Sequence, residues 1–525
     1  MSFHTGHRRS MFRRTLLAAG GALALPLSAR AETATKEKVA TALPKLKEFA
    51  RQIIDQKLVP GLSIAIVHHD DVVLLDGFGV RQVGKPEPVE VDTVFQLASV
   101  SKPLASTVVS GLVSDGKVSW DSRIRDIDPG FALYDELATA AVTVGDLFAH
   151  RSGLPGNIGN DIEELGFTQG EILQRLRLAK PAYGFRDGYA YSNFGLTEGA
   201  VAAARFSGRS WEEAAEERLY KPLGMSSTSS RYRDFLNRAN RAALHVPIDG
   251  QWAAFTRRNP DAQSPAGGAS STVRDLAQWV RLLLANGQYE DRPLIDKAAL
   301  DRAHIPAIVR GVDPKTGTPA FYGFGWNINY REHGVEWSHA GAFSAGARTL
   351  VHLIPGEQLG IVVLSNAFPT GVPEGIAATF FDLVFAGKPT RDRVAEANQV
   401  YETGYKNSMK PSLAYETPPA SPAPPLPASA YVGEYRNDYV GEAKVSESGE
   451  SLFLQIGPAG KRFPLGHFNR DLFIYGPFAE APTARMGVSF LIGPDGKASE
   501  VAIEDLNEEG LGRLTRATPR EPQPR

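Results

Sequence analysis

Apolar, strand-like runs stand at both ends of a long helix-and-loop stretch, and this separation constrains the fold more than any other feature of the chain. Leu62-Ser-Ile-Ala-Ile-Val67 and Val72-Val-Leu-Leu75 flank the polar turn His68-His-Asp-Asp71, which predicts an antiparallel hairpin. Strand signals return only at 322–330, 347–354 and 359–364, the last two joined by a Pro355-Gly356 turn. Between them the period becomes helical. Val100, Leu104, Thr107, Val108 and Leu112 form one stripe that Gly116 ends, and further helices are expected at 170–178, 211–219 and 273–284, with another near 43–57. The two ends therefore share a sheet. The expected fold is α/β, an antiparallel sheet flanked by helices with a mostly helical second lobe and a site between the lobes.

The rest of the chain divides around this body, expected at 32–387. Residues 1–31 read as an export signal: Arg13-Arg14 precede an uncharged, Leu- and Ala-rich stretch ending in Ala29-Arg30-Ala31. The arginine pair gives it a twin-arginine-like character and predicts a periplasmic or secreted protein. Residues 388–429 read as a linker, Pro-rich at 417–427. Short alternating runs such as Ser451-Leu-Phe-Leu-Gln-Ile456 then predict a small barrel-like antiparallel β domain at 430–517, with a tail at 518–525.

Composition narrows the chemistry. The 525 residues contain no cysteine, which removes disulfides, thiolate metal sites and cysteine nucleophiles. Lys plus Arg number 57 against 59 Asp plus Glu, a balance that argues against nucleic acid as a partner. No apolar run after the signal is long enough for a stable membrane span. His68-His69-Asp70-Asp71 lies on a turn whose successive side chains diverge, so neither a metal nor another cofactor is expected. The expected partner is a small-molecule or peptide substrate; oligomeric state is left open.

Ser99-Val-Ser-Lys102 is an S-x-x-K at a strand-to-helix junction. Three residues apart on a helix, the amine reaches the hydroxyl, and the positive helix end favours a developing oxyanion and lowers the lysine's pKa, so that the uncharged amine is available as a base. A second match, Ser114-Asp-Gly-Lys117, sits at a helix end and reads as a turn. Tyr191-Ser-Asn193 supplies a phenol able to exchange protons with serine and leaving group, beside an amide that orients substrate. Further Y-x-N matches at Tyr405 and Tyr435 fall near or beyond the linker. For a third element, Lys315-Thr-Gly317 is a literal K-T-G, but its flanking prolines describe a turn. His339-Ala-Gly341, leading into the strand at 347–354, is preferred. Gly341 lets the strand backbone approach substrate, and the N–H groups of Ser99 and Ala342 form a candidate oxyanion hole. His150 is read as ordering its loop, and Trp120 and Trp211 as packing residues.

Taken in order, Ser99-x-x-Lys102, Leu147-Phe-Ala-His-Arg-Ser-Gly-Leu-Pro155, Tyr191-Ser-Asn193, Tyr220-Lys-Pro-Leu-Gly-Met225, Gly267-Gly-x-x-Ser-Thr272 and His339-Ala-Gly341 resemble the β-lactamase-related serine hydrolases: class C β-lactamases, D-stereospecific peptidases and esterases. The likeness spans about residues 40–385. Tyr431-Val-Gly-Glu-Tyr435 and Pro464-Leu-Gly-His467 resemble lipocalin-like domains appended to some members. The resemblance implies Ser99 as acylated nucleophile, Lys102 and Tyr191 as a coupled acid/base pair, Asn193 as substrate contact, and His339 in the place of a lysine. It also implies cleavage of amide or ester bonds, in a peptide, D-amino-acyl compound, ester or β-lactam; an uncharged histidine holds a β-lactam carboxylate less strongly, which points to a peptidase or esterase rather than an efficient β-lactamase. Arg348 is read as a solvated strand-end residue rather than a substitute anchor. The competing reading is a penicillin-binding or sensor-type protein that acylates and turns over poorly.

Overall fold

The computed structural model describes residues 33–254, 257–314, 316–477 and 484–518, apart from the side chain of Ser408. The export signal expected at 1–31 lies outside the described residues. Among those described, no helix is long and apolar enough to cross a membrane.

The expected sheet joins the two ends of the body. Strands β1 (Gly61–His68), β2 (Asp71–Gly79), β3 (Ile308–Val312), β4 (Pro319–Tyr322), β5 (Asn327–Arg331), β6 (Gly334–Phe343), β7 (Ala347–Ile354) and β8 (Leu359–Ser365) run in the spatial order β2-β1-β8-β7-β6-β5-β4-β3. Every pairing between them is antiparallel, so the first hairpin meets the last strand at β1–β8. Every residue of β1 is buried because both of its faces are covered, which is why its sequence is mostly apolar. Leu62, Ile64 and Ile66 pack with helices α1 (Lys36–Asp55) and, late in the chain, Val372–Phe385. Ala65 and Val67 face the other core, which includes Trp279 and Val280 of the helix Val273–Leu284.

One stretch folds differently from its sequence pattern. Residues 322–330, expected as one strand, are the ends of β4 and β5 turned back on each other. Gly325 has φ +79°, and a Cβ there would lie 2.9 Å from the Lys102 carbonyl oxygen, so the turn and the close approach both require glycine.

The second lobe is built around helix α2 (Ser101–Ser114), in which every residue from Ser101 to Leu112 is buried. Such a helix shows no amphipathic face because other elements surround it. Helix α3 (Asn193–Phe206) packs beside it, and both lie in the core that contains Trp279. Trp279 is fully buried and donates to Thr107 Oγ1 of α2 at 3.0 Å. At Ser114 the second S-x-x-K ends the helix, and Gly116 follows with φ +67°.

The stretch 388–429 carries more than a tether. Helix Arg393–Ser408 lies within it and packs on Val372–Phe385 before the Pro-rich run begins. Beyond it, Gly433–Asn437, Gly441–Ser448, Ser451–Ile456, Lys461–Asn469, Leu472–Tyr475, Met486–Ile492, Ala498–Ile503 and Arg513–Arg516 close into an antiparallel barrel. Alternate residues such as Ala443, Val445, Leu452, Leu454 and Ile456 fill its interior.

Truncating Trp279 removes both a large buried side chain and the anchor of Thr107. Trp279→Ala is expected to cost about 3–5 kcal/mol of stability, read as a lower urea midpoint.

Candidate active site

Chain direction changes sharply where the sheet hands over to α2. Ala98 has φ +47°, a left-handed backbone that costs a non-glycine residue energy, and a single 3₁₀ turn, Ala98–Val100, leads into the helix. Ser99 therefore sits on this turn, just ahead of the first helical turn where the sequence placed it. It is half-buried, with its hydroxyl between two side chains.

Lys102 Nζ lies 3.0 Å from Ser99 Oγ, 2.6 Å from Asn193 Oδ1 and 2.9 Å from the Ala266 carbonyl oxygen. None of these partners carries negative charge. Lys102 is fully buried, and burial holds its amine well below the usual lysine range. In the uncharged form it keeps two donors for Asn193 and Ala266 and offers its lone pair to the Ser99 hydroxyl. Tyr191 OH donates to Ser99 Oγ at 2.8 Å, and Lys102 Nζ lies 4.6 Å from the centre of the Tyr191 ring. Burial drives the phenol above its ordinary value, so Tyr191 rests as a proton donor.

His150 shapes the segment that carries Tyr191. Its Nδ1 accepts from the Ser192 N–H at 3.1 Å, its carbonyl accepts from the Ala190 N–H at 3.0 Å, and its ring packs on Tyr191 with centroids 4.6 Å apart. Asp146, buried and paired with Arg151 and Arg186, anchors the same region. Trp120 packs edge-on against Phe148.

On the sheet side, β6 brings His339 and Gly341 to the cleft. Gly341 is pressed against the turn that bears Ser99: a methyl there would lie 2.1 Å from the Leu97 carbonyl oxygen and 3.0 Å from Ser99 N. Thr349 Oγ1, opposite Gly341 in register, donates to the same Leu97 carbonyl at 2.6 Å. Ala342 follows, exposed on the strand. His339 is buried; its Nδ1 lies 2.8 Å from the Ala340 carbonyl oxygen and its Nε2 2.9 Å from Tyr322 OH. With Nδ1 donating to the carbonyl, Nε2 accepts from tyrosine and the ring is neutral. Burial pushes it down to about 3.

The competing K-T-G stretch lies in the hairpin between β3 and β4. The Gly317 N–H donates to the Asp313 carbonyl at 2.9 Å, Thr316 and Gly317 are exposed, and Lys315 lies outside the described residues. Arg348, expected in solvent, is instead buried. It donates to the Gly341 carbonyl at 3.3 Å, pairs with Glu374 and lies over the ring of Tyr401 from the helix at 393–408. Burial follows because that helix, in a stretch read as linker, covers the strand end.

The His68 and His69 rings lie with centroids 4.4 Å apart, while His68 Nε2 contacts the Ala34 carbonyl, Asp70 pairs with Arg281 and Asp71 with Lys36. Two contributors had no signature in the sequence. Asn160 accepts from Asn193 Nδ2 at 3.2 Å, and Ala266 acts through its carbonyl, which residue type does not reveal. The only pointer to the latter was its position before Gly267-Gly268.

An antiparallel sheet with a helical lobe, and a serine held between a buried amine and a phenol at their junction, define the class. A family model described as Beta-lactamase matches residues 46–383, and a domain of unknown function, DUF3471, matches 417–514. The chain belongs to the beta-lactamase family and is a hydrolase-type member of it. It is 25% identical over 490 residues to the unguisins hydrolase ungD' of Aspergillus campestris, covering 89% of each chain. It is 28% identical over 331 residues to penicillin-binding protein 4 of Amycolatopsis lactamdurans, covering 62% of this chain and 84% of the relative. The octameric penicillin-binding protein homologue from Pyrococcus abyssi shares the fold, with TM-score 0.55 and 20% identity over 90% of this chain and 100% of that one.

The neutral state of His339 is directly measurable. Its imidazole signals in a histidine NMR titration should move near pH 3, leaving the ring uncharged at neutral pH; a midpoint near the ordinary 6.5 would contradict this environment.

Proposed function

We propose that this chain is an exported serine hydrolase that cleaves amide or ester bonds in peptides, D-amino-acyl compounds or esters through an acyl-enzyme on Ser99. The observation that carries the reading is the Ser99 hydroxyl held 3.0 Å from a buried, uncompensated lysine amine and 2.8 Å from a phenol. Hydrolase and penicillin-binding names among the relatives support it. The arginine-led segment at 1–31 supports a periplasmic or secreted location.

In this reading Ser99 Oγ forms a bond to the substrate carbonyl carbon while its proton passes to the neutral Lys102 amine. The N–H groups of Ser99 and Ala342 hold the oxyanion. As the scissile bond breaks, Tyr191 gives its proton to the leaving amine or alkoxide and regains one from Lys102. The leaving group departs neutral, and both side chains return to their starting protonation. Water then repeats the sequence at the acyl carbonyl and frees Ser99. Asn193 keeps one N–H of its amide for substrate, since the other is held by Asn160. A neutral His339 supplies no cation for a carboxylate, which favours peptide or ester substrates over β-lactams.

Intact-mass measurement with a penicillin, a D-amino-acid amide and a nitrophenyl ester tests the reading. Transient adducts with released product are expected, and none with Ser99→Ala. A persistent adduct without product would favour the penicillin-binding, sensor-type reading; absence of both across the panel would contradict acylation. Gly341→Ala, forcing β6 off the Ser99 turn, should lower turnover by about a hundredfold. His339→Ala should lower it by about tenfold or more while Lys315→Ala stays within about twofold. The reverse ranking would move the third element to 315–317.

A further inference from the structure

The loop that follows Pro155 lies between the active site and the barrel. Gly159 has φ +90°, and a Cβ there would meet Ile172 Cγ2 at 2.7 Å and Phe194 Cδ2 at 2.8 Å, so the loop is pressed onto the base of helix α3. The next residue, Asn160, accepts from Asn193 Nδ2 at 3.2 Å. An amide has one acceptor oxygen and one donor nitrogen, so fixing Nδ2 on Asn160 turns Oδ1 toward Lys102 Nζ, 2.6 Å away. The same loop touches the other side of the site, where the Asn157 N–H donates to the Tyr191 carbonyl at 3.0 Å.

The loop is gripped from the barrel by one side chain. Tyr439, in the turn between the first two barrel strands, is buried. Its hydroxyl accepts from the Gly159 N–H at 3.1 Å and donates to Asp161 Oδ1 at 2.7 Å, so it bonds both neighbours of Asn160. Arg175 Nε donates to its carbonyl at 3.0 Å, tying it to the hydrolase body. Gly457 of the barrel packs against Leu165 at the end of the loop. On the body side, Glu163 bonds Arg258 and Gln263.

We propose that Tyr439 is a positioning residue through which the barrel sets the active-site geometry: it fixes Asn160, which fixes the Asn193 amide, which holds the Lys102 amine on Ser99. The barrel is then a working part of the hydrolase. This rests on the reading of Ser99 and Lys102 as the reacting pair. The hydroxyl contributes two hydrogen bonds to the position of one loop, and a shift there is transmitted to the amine that takes the Ser99 proton. It therefore acts chiefly on kcat through the Lys102 amine, with a smaller effect on KM through the Asn193 N–H that faces substrate.

Single-turnover and steady-state kinetics of the full chain on a nitrophenyl ester test the proposal. Tyr439→Phe and Asn160→Ala should each lower kcat by about tenfold with KM within about twofold. The double variant should be no slower than the slower single one, because both remove the same link. Asp161→Asn keeps an acceptor for the phenol and should retain kcat within about twofold, whereas Asp161→Ala should behave like Tyr439→Phe. Arg513→Ala, which breaks a solvent-exposed ion pair with Glu500 on the barrel, should leave kcat unchanged. Unfolding midpoints measured alongside separate these effects from lost folding. Wild-type kcat in Tyr439→Phe, or effects of Tyr439→Phe and Asn160→Ala that multiply, would overturn the proposal while leaving Ser99 acylation intact. A Ser99→Ala variant that still turns over would instead remove the reading on which it rests.

Discussion

Burial of an amine without a counter-charge is the constraint on which the rest of this site depends. A lysine taken wholly out of water and given only a hydroxyl, an amide oxygen and a peptide carbonyl cannot hold its proton at the strength of a free lysine. A carboxylate within reach would restore the charge and remove the base. The surroundings of Lys102 are arranged to avoid that: α2 is enclosed along its length, the 264–268 turn presents a carbonyl, and α3 presents an amide. Tyr191, shifted the opposite way by the same burial, keeps its proton, so burial sets an amine that gives up its proton readily beside a phenol that holds its own.

Much of this was legible because it is local or periodic. The S-x-x-K spacing places Ser99 and Lys102 on adjacent turns whatever surrounds them, and Tyr191 with Asn193 is fixed by the start of α3. The sheet joining the two ends of the hydrolase body followed from its apolar runs, and the barrel from alternation. What was not legible depends on tertiary cover. Arg348 reads as a surface residue until the helix at 393–408 lays Tyr401 over it. The 322–330 run reads as one strand because its turn is enforced by the approach of Gly325 to Lys102, a contact no local pattern encodes. Asn160 and Tyr439 lie in unremarkable loop and turn sequences, and their meaning comes only from what lies opposite.

The two third-element candidates show the same division. Of the literal K-T-G, Thr316 and Gly317 are solvent-exposed, while His339-Ala-Gly341 lies on a strand that meets Leu97 and Ser99 only because residue 341 has no side chain. A neutral imidazole in that place gives the cleft a hydrogen-bonding wall in place of a positive one. The barrel adds a further layer, since its Tyr439 closes on the loop that orients Asn193.

The protonation state of Lys102 decides what the Ser99 hydroxyl can do. A titration of the intact protein labelled with carbon-13 at lysine Cε, with Lys102 assigned by its loss in Lys102→Ala, reads it directly. One lysine signal is expected to have a midpoint well below 10.5. A Lys102 midpoint at or above 10.5 would contradict it.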